Sequence, residues 1–327
     1  MSKRWIITGA NGYLGNEICQ GLCKRGEMVC GLARPGRALN NLEEIGISCH
    51  SYADLPAILA EGDILIHCAG KVSFNGVWDE FVKTNIEWTV ALFNQAVKSG
   101  ASCFIFISSV AALGYKNRSK DEIIEETSLP SNSKGDLYGR SKWIAEQKLQ
   151  ERAKASSTRL IILRPGLIYG RRSFSNAQTW LRRGVVIALD QRLPLGHIDN
   201  LVEAIFKVVE KRDAEGLFLV VDDEQPALRD LNALKIKLGV LKYHPWRIGK
   251  LGFWLLHFFH FVLRHIYGRG GYFQKGYGLA QYRLHTRQLL YSSDKLRRVT
   301  GWEPQINLID GIAGCLEFYR KTKRRSD

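Results

Sequence analysis

Five short apolar runs set the terms for this chain: "RWIIT", "MVCGLA", "DILIHCA", "CFIFISS" and "RLIILRP". Helix-length segments near 13–25, 54–60, 76–98 and 138–154 separate them. Runs this uniformly apolar are buried on both faces, and a helix between successive strands makes them parallel, so the pattern predicts a doubly wound α/β sheet. It occupies residues 1–170, with returns to the sheet expected near 193–222, where "LPLGHIDN" leads into "LVEAIFKVVEK" and then "GLFLVV". Residues 171–192 and 223–327 lack the alternation and carry many aromatics. They are assigned to a smaller second lobe that ends in a basic tail.

At 327 residues and 45% hydrophobic, the chain can bury one large core or two modest ones. Seven cysteines (19, 23, 30, 49, 68, 103 and 315) lie mostly in apolar runs, with no CxxC or Cys/His cluster at metal spacing. They read as reduced thiols in a cytoplasmic protein, with no metal site. The start "MSKRWIITGANG" lacks the apolar region and cleavage site of a signal peptide. Net charge is +15, and residues 242–327 hold 16 Lys and Arg against 5 Asp and Glu. That basic quarter suits an anionic lipid, a nucleic acid or a phosphorylated substrate, or it is only a solvated surface.

The first run passes directly into "GANGYLG", so Thr8, Gly9, Asn11, Gly12, Tyr13, Leu14 and Gly15 form the turn that opens the first helix. Glycines there permit a tight turn and a close approach by a pyrophosphate, which the free N–H groups of the helix start would bind. At the end of the second run an acid would hold the ribose of NAD; "GLARPGR" instead supplies Ala33, Arg34 and Arg37. Guanidinium groups pair with a 2′-phosphate, so NADP(H) is expected over NAD(H), which stays open because Arg34 can also stack on the adenine. For the adenine end the candidate is Asp54, with Ser51 or Tyr52 as alternatives. Cys68, Ala69 and Gly70 are small enough for the cofactor to pass beside them.

Ser108 and Ser109 end "CFIFISS", at the strand edge where open α/β sheets bind ligands. In the helix that follows, Tyr138 and Lys142 share a face at i and i+4. A hydroxyl, a phenol and an ammonium can then converge, with Ser109 bonding the substrate oxygen and Tyr138 acting as general acid or base. Lys142 and a positively charged nicotinamide are expected to lower the phenol below its ordinary pKa of ~10. The pairs Tyr291 with Lys295 and Tyr319 with Lys323 repeat the spacing without a preceding hydroxyl-ended strand, and read as surface pairs, the second on a fraying tail.

"TGANGYLG", "FISS", "YGRSK", "LRPGLIYG", "HIDNLVEA" and "YSSDKLRRVTGWEP" together resemble the extended short-chain dehydrogenase/reductases over nearly the whole chain, leaning to the 3β-hydroxysteroid dehydrogenase-like branch. The resemblance implies a Rossmann domain that binds NAD(P), the catalytic set Ser109, Tyr138 and Lys142 with Asn85 in support, and a C-terminal substrate lobe. It also implies that Pro165 and the backbone near Leu167 and Ile168 approach the nicotinamide. His197 is read as a supporting histidine. Dehydratases of the family carry an acid after the serine position; here Val110 and Ala111 follow Ser109. The expected activity interconverts a secondary alcohol and a ketone on a hydrophobic, sterol- or isoprenoid-like small molecule. Rivals are a sugar-nucleotide epimerase, with Arg171, Arg172, Arg182 and Arg183 holding a diphosphate, and a non-catalytic NADP-sensing or scaffold protein.

"WRIGKLGFWLLHFFHFVLRHIYGR", residues 246–269, is too interrupted by His257, His260 and Arg264 to span a bilayer. On a helical wheel these three and Lys250 form a narrow basic arc on an otherwise apolar helix. Two readings stand: a helix lying peripherally in an anionic membrane surface, or a core helix of the substrate lobe. Nucleic acid is not expected, since no binding module accompanies the charge. A homodimer is compatible with the chain.

Overall fold

The computed structural model describes residues 3–34, 36, 39–73, 77–114, 123–128, 136–174, 192–241, 251–252, 254–255, 258–259, 262 and 289–324. Seven strands pair in parallel: β1 (Arg4–Thr8), β2 (Met28–Ala33), β3 (Ser48–Ser51), β4 (Ile64–His67), β5 (Cys103–Ile107), β6 (Arg159–Pro165) and β7 (Gly216–Val220). Their spatial order is β3-β2-β1-β4-β5-β6-β7. The chain leaves β1 toward one edge and β4 toward the other, which opens a crevice between them at the carboxyl ends.

Strand residues alternate between two cores. Trp5, Ile7, Ile64, Ile66, Ile105 and Phe218 face the layer of α1 (Tyr13–Lys24), while Ile6, Leu65, Phe104, Phe106 and Ile162 face the layer of α2 (Trp88–Lys98) and α3 (Leu137–Ala153). Each run is apolar throughout because both of its faces are covered. Truncating a fully buried ring such as Phe104 to alanine would cost about 3–5 kcal/mol.

A helical turn at Trp78–Phe81 and a π-helical turn at Val82–Glu87 lead into α2. The extra residue of a π turn shifts the register of the side chains that follow, and Asn85 inside it is buried. α4 (Ile198–Glu210) lies beside α1, so close that a Cβ on Gly21 would meet Val202 at 2.7 Å. Of the two later segments, Gly216–Val220 joins the sheet, whereas Leu195–His197 pairs with Leu167–Tyr169 in a two-stranded sheet outside it. α5 (Leu228–Lys237) follows β7.

Later in the chain Leu290–Tyr291 pairs with Ile123–Ile124, followed by α6 (Asp294–Thr300) and α7 (Leu308–Arg324). Four hydrogen bonds hold this segment to the end of β7. Gln225 donates from its amide to the Tyr291 carbonyl and accepts from the Tyr291 N–H, at 2.7 and 2.9 Å. Ser293 Oγ accepts from the Val221 N–H and donates to its carbonyl, at 2.9 and 3.0 Å.

Two sequence expectations are corrected here. Tyr291 is buried and Lys295 donates at 2.6 Å to the Leu217 carbonyl, so they belong to this seam and not to the surface. The basic tail is helical through Arg324, because Leu308, Ile312 and Cys315 give it a core-facing side.

Candidate active site

Gly9 turns the chain out of β1 at φ 75°, and a Cβ there would stand 2.9 Å from the Ala69 nitrogen. At Gly15 a Cβ would come 2.3 Å from the Gly9 carbonyl oxygen. Only glycine lets the turn lie this tightly against both the loop after β4 and the first turn of α1. Gly12 caps α1 without a side-chain hydrogen bond, and no acid occupies the first helical turn. The free N–H groups and the positive end of the helix dipole therefore face the crevice, a fit for a diphosphate. Asn11 is exposed, Leu14 packs on the core, and Tyr13 lies under the Arg172 guanidinium, 5.8 Å from the ring centre.

β2 ends at buried Ala33, followed by exposed Arg34. Arg37 lies outside the described residues. The Asp54 carboxylate accepts the Ser51 N–H at 2.9 Å, a local cap of the turn it belongs to. Tyr52 reaches the glycine turn instead, its hydroxyl accepting the Gly9 N–H at 3.0 Å. Desolvation raises the Tyr52 phenol, and the Arg34 charge opposes that rise.

His67 ends β4 fully buried, and burial lowers its pKa so far that the ring is neutral. Its tautomer follows from its partners. Thr89 Oγ1 donates to the Asn85 carbonyl at 2.8 Å, so it accepts from His67 Nε2–H at 3.0 Å, and Thr8 Oγ1 donates to Nδ1 at 2.7 Å. A directed chain thus joins the glycine turn to Asn85. The Cys68 thiol is pushed up to about 12 by burial, partly offset by Lys142, and is unreactive at neutral pH. Ala69 abuts Gly9, and a Cβ on Gly70 would lie 3.5 Å from Lys142 Nζ.

The four residues expected to carry chemistry stand around this loop. Asn85 Oδ1 accepts the Lys71 N–H at 2.7 Å; its Nδ2 donates to the Lys71 carbonyl and, at 2.9 Å, to Ser141 Oγ. Ser141 in turn donates to the Tyr138 carbonyl at 2.7 Å, so Asn85 pins the loop after β4 to the first turn of α3. Asp136 caps α3 by accepting the Gly139 N–H at 2.9 Å. Gly139 lets α3 touch the short 3₁₀ turn Val110–Leu113 after β5: a Cβ there would stand 2.2 Å from the Ala111 carbonyl oxygen. Ser109 caps that turn, accepting the Ala111 N–H at 3.1 Å, and its hydroxyl lies near enough to Tyr138 to favour the ionised phenol. Lys142 donates to the Ile107 carbonyl at 2.8 Å.

The ionisation of Tyr138 differs from the sequence expectation. Desolvation pushes the phenol up to about 12, opposed by the nearby Ser109 hydroxyl and reinforced by Asp136. Lys142, whose burial pulls it down to about 8, is directed at the Ile107 carbonyl and the Phe106 ring, 4.5 Å from the ring centre. The protein alone therefore presents Tyr138 as a protonated acid.

Below this layer is a buried cluster that sequence reasoning missed. Glu146 accepts from Ser108 Oγ and from both Nε and Nη2 of Arg164, and both members of the ion pair are nearly inaccessible to solvent. Glu146 lies at i+4 from Lys142, on the same helix face, and that spacing is the signal that could have found it. The next residue, Pro165, is buried; beyond Gly166, Leu167 is exposed and Ile168 half-buried. His197 caps α4 and stacks edge-on against Tyr169, a supporting arrangement. Arg172 pairs with Glu17 at 2.7 Å and Arg171 with Asp199 at 3.1 Å; Arg182 and Arg183 lie outside the described residues. All seven cysteines are free, and the described residues contain no group of His, Cys, Asp and Glu suited to a metal ion.

A seven-stranded parallel sheet with a glycine turn at its switch point and a hydroxyl, phenol and ammonium along one carboxyl edge defines a Rossmann-type protein of the extended short-chain dehydrogenase/reductase class. Residues 5–220 match the NAD dependent epimerase/dehydratase family, and the chain belongs to that family. Among its relatives is the decarboxylating sterol-4-alpha-carboxylate 3-dehydrogenase of Dictyostelium discoideum, 29% identical over 245 residues, which cover 69% of this chain and 74% of that one. UDP-glucose 4-epimerase of Vibrio cholerae is 28% identical over 249 residues, 68% and 71% of the two chains. In fold, the crystal structure of gox2253 superposes with a TM-score of 0.82 at 21% identity, covering 99% of both chains. The UDP-glucuronic acid 4-epimerase from Bacillus cereus in complex with NAD gives 0.73 at 18% identity, covering 98% of this chain and 99% of that one.

Proposed function

We propose that this protein is an NADP(H)-dependent oxidoreductase that interconverts a secondary alcohol and a ketone on a hydrophobic substrate. The observation that carries the reading is the close packing of Gly139 on the Ala111 backbone, which sets Tyr138 beside Ser109 at the sheet edge with Lys142 on the same helix face. When bound, the nicotinamide supplies or accepts the hydride. Gly9, Gly12 and the N–H groups opening α1 would hold its diphosphate, and Arg34 its 2′-phosphate. Ser109 would orient the substrate oxygen, and Tyr138 would give it a proton in reduction and take one in oxidation. Thr8, Cys68, Ala69, Gly70, Pro165, Leu167 and Ile168 would line the dinucleotide, while Asn85 would act by positioning the start of α3.

A hydrophobic substrate is favoured by the sterol-acting relative and by the exposed apolar Leu167 just past the carboxyl end of β6. The epimerase reading has the UDP-glucose 4-epimerase relative in its favour. Against it, Arg171 and Arg172 are already paired with Asp199 and Glu17, leaving them poorly disposed to a sugar-nucleotide diphosphate. Incubating the protein with NADPH and a mixture of lipid and nucleotide-sugar extracts tests the choice. Net oxidation of NADPH with a ketone gaining two hydrogens is expected. A sugar nucleotide that isomerises without net NADPH consumption would reverse the assignment.

A further inference from the structure

We propose that the helical face carrying Leu251, Trp254, Leu255, Phe258 and Phe259 docks this protein on an anionic lipid surface without crossing it. The described residues within 251–262 are helical, and these five side chains are 44–72% exposed. Spacings of i, i+3, i+4, i+7 and i+8 put them on one face. The Trp254 and Phe258 rings stack along it, 5.7 Å between centres and 12° from parallel. A helix serving the core would bury this stripe; an exposed run of large apolar side chains is instead the mark of an interaction surface.

Charge selects the occupant. Residues 242–293 contain eight Lys and Arg and no Asp or Glu. An apolar face within so basic a sequence matches a bilayer interface, where aromatic rings settle among the headgroups and cations meet anionic lipid. A second copy of the chain would instead set one basic segment against another. No helix among the described residues is long and apolar enough to cross a membrane, and His257, His260 and Arg264 interrupt the apolar run here, which suits a helix lying in the interface. The contact would hold the active site where an apolar substrate concentrates, yet it does not depend on the proposed reaction.

Co-flotation of the full chain with vesicles of phosphatidylcholine alone, or of phosphatidylcholine with phosphatidylserine, reads the contact directly. Binding is expected to the anionic vesicles, released by added salt, and weakened about tenfold or more in Trp254→Ser/Phe258→Ser/Phe259→Ser. The variant's thermal midpoint should stay unchanged. Failure of the unaltered chain to float with anionic vesicles overturns the proposal, as does equal, salt-insensitive binding to both vesicle types. Undiminished binding by the folded variant also overturns it, and a dimer in the analytical ultracentrifuge that the variant dissociates would assign the face to a second copy. Should the variant unfold, brominated lipid in anionic vesicles should quench tryptophan fluorescence of the unaltered protein, and absence of quenching rejects the contact. None of these assays reads turnover, so their failure leaves the reaction standing.

Discussion

At the scale of single residues, the proposed reaction makes the proton on Tyr138 the group that would set the direction in which the site works. With the phenol held near 12, ketone reduction should proceed undiminished at neutral pH. Alcohol oxidation should climb by up to about tenfold per pH unit as the basic form grows, until another step limits it. Initial rates in the two directions across neutral to alkaline pH check this; an oxidation rate that is flat with pH contradicts it. Tyr138→Phe should lower kcat by roughly 10²–10⁴-fold with cofactor affinity nearly unchanged, measured by steady-state kinetics beside fluorescence titration. Arg34→Ala should weaken NADPH binding while leaving NADH binding close to its original value. The spacing of Ser109, Tyr138 and Lys142 was legible because strand ends and helix periods fix where side chains point. Their ionisation was not, since it depends on which groups desolvate the phenol and on the Ile107 carbonyl that engages the ammonium.

Among the elements, α3 matters most, because its first turn carries the phenol and its middle carries the buried Glu146–Arg164 pair. Arg164→Met leaves Glu146 charged, buried and short of its partner, and should cost about 3–5 kcal/mol in denaturant unfolding. Gly139→Ala should act differently, reducing kcat more than stability, because the new methyl meets the Ala111 backbone and moves Tyr138 away from Ser109. Crystallography or a kcat and KM comparison distinguishes that displacement from general loosening. All five apolar runs became strands, since a doubly covered sheet imposes a composition visible in one dimension. "LPLGHIDN" was harder to place: a three-residue strand looks alike whether its partner is the main sheet or Leu167–Tyr169.

For the molecule as a whole, the joint between sheet and C-terminal segment is the sensitive point. Asn200 Oδ1 accepts the N–H groups of Gln305 and Ile306, its Nδ2 donates to Asp222 and to the Ile306 carbonyl, and its own carbonyl accepts from the buried Trp302 indole. Asp222 also accepts the His197 N–H, yet burial raises its carboxyl to about 7. A carboxyl raised in the folded state stabilises it fully at acid pH, and that contribution is lost as pH climbs from the unfolded value through about 7. Thermal midpoints of the wild type relative to Asp222→Asn should therefore fall between mildly acid and neutral pH; a constant difference counts against the raised pKa. This joint was only half legible, because "HIDN" and "GWEP" lie about a hundred residues apart and nothing local announces that they meet.

The bonds from Gln225 to Tyr291 and from Val221 to Ser293 have a consequence for how such a protein can diversify. They fix both ends of the stretch between residues 225 and 291, and doubling the length of chain between two fixed ends costs only about 0.6 kcal/mol. Insertions or exchanges there leave the sheet edge with Ser109 and Tyr138 almost untouched. A lineage can thus keep the proposed hydride-transfer edge while varying the stretch between residues 225 and 291.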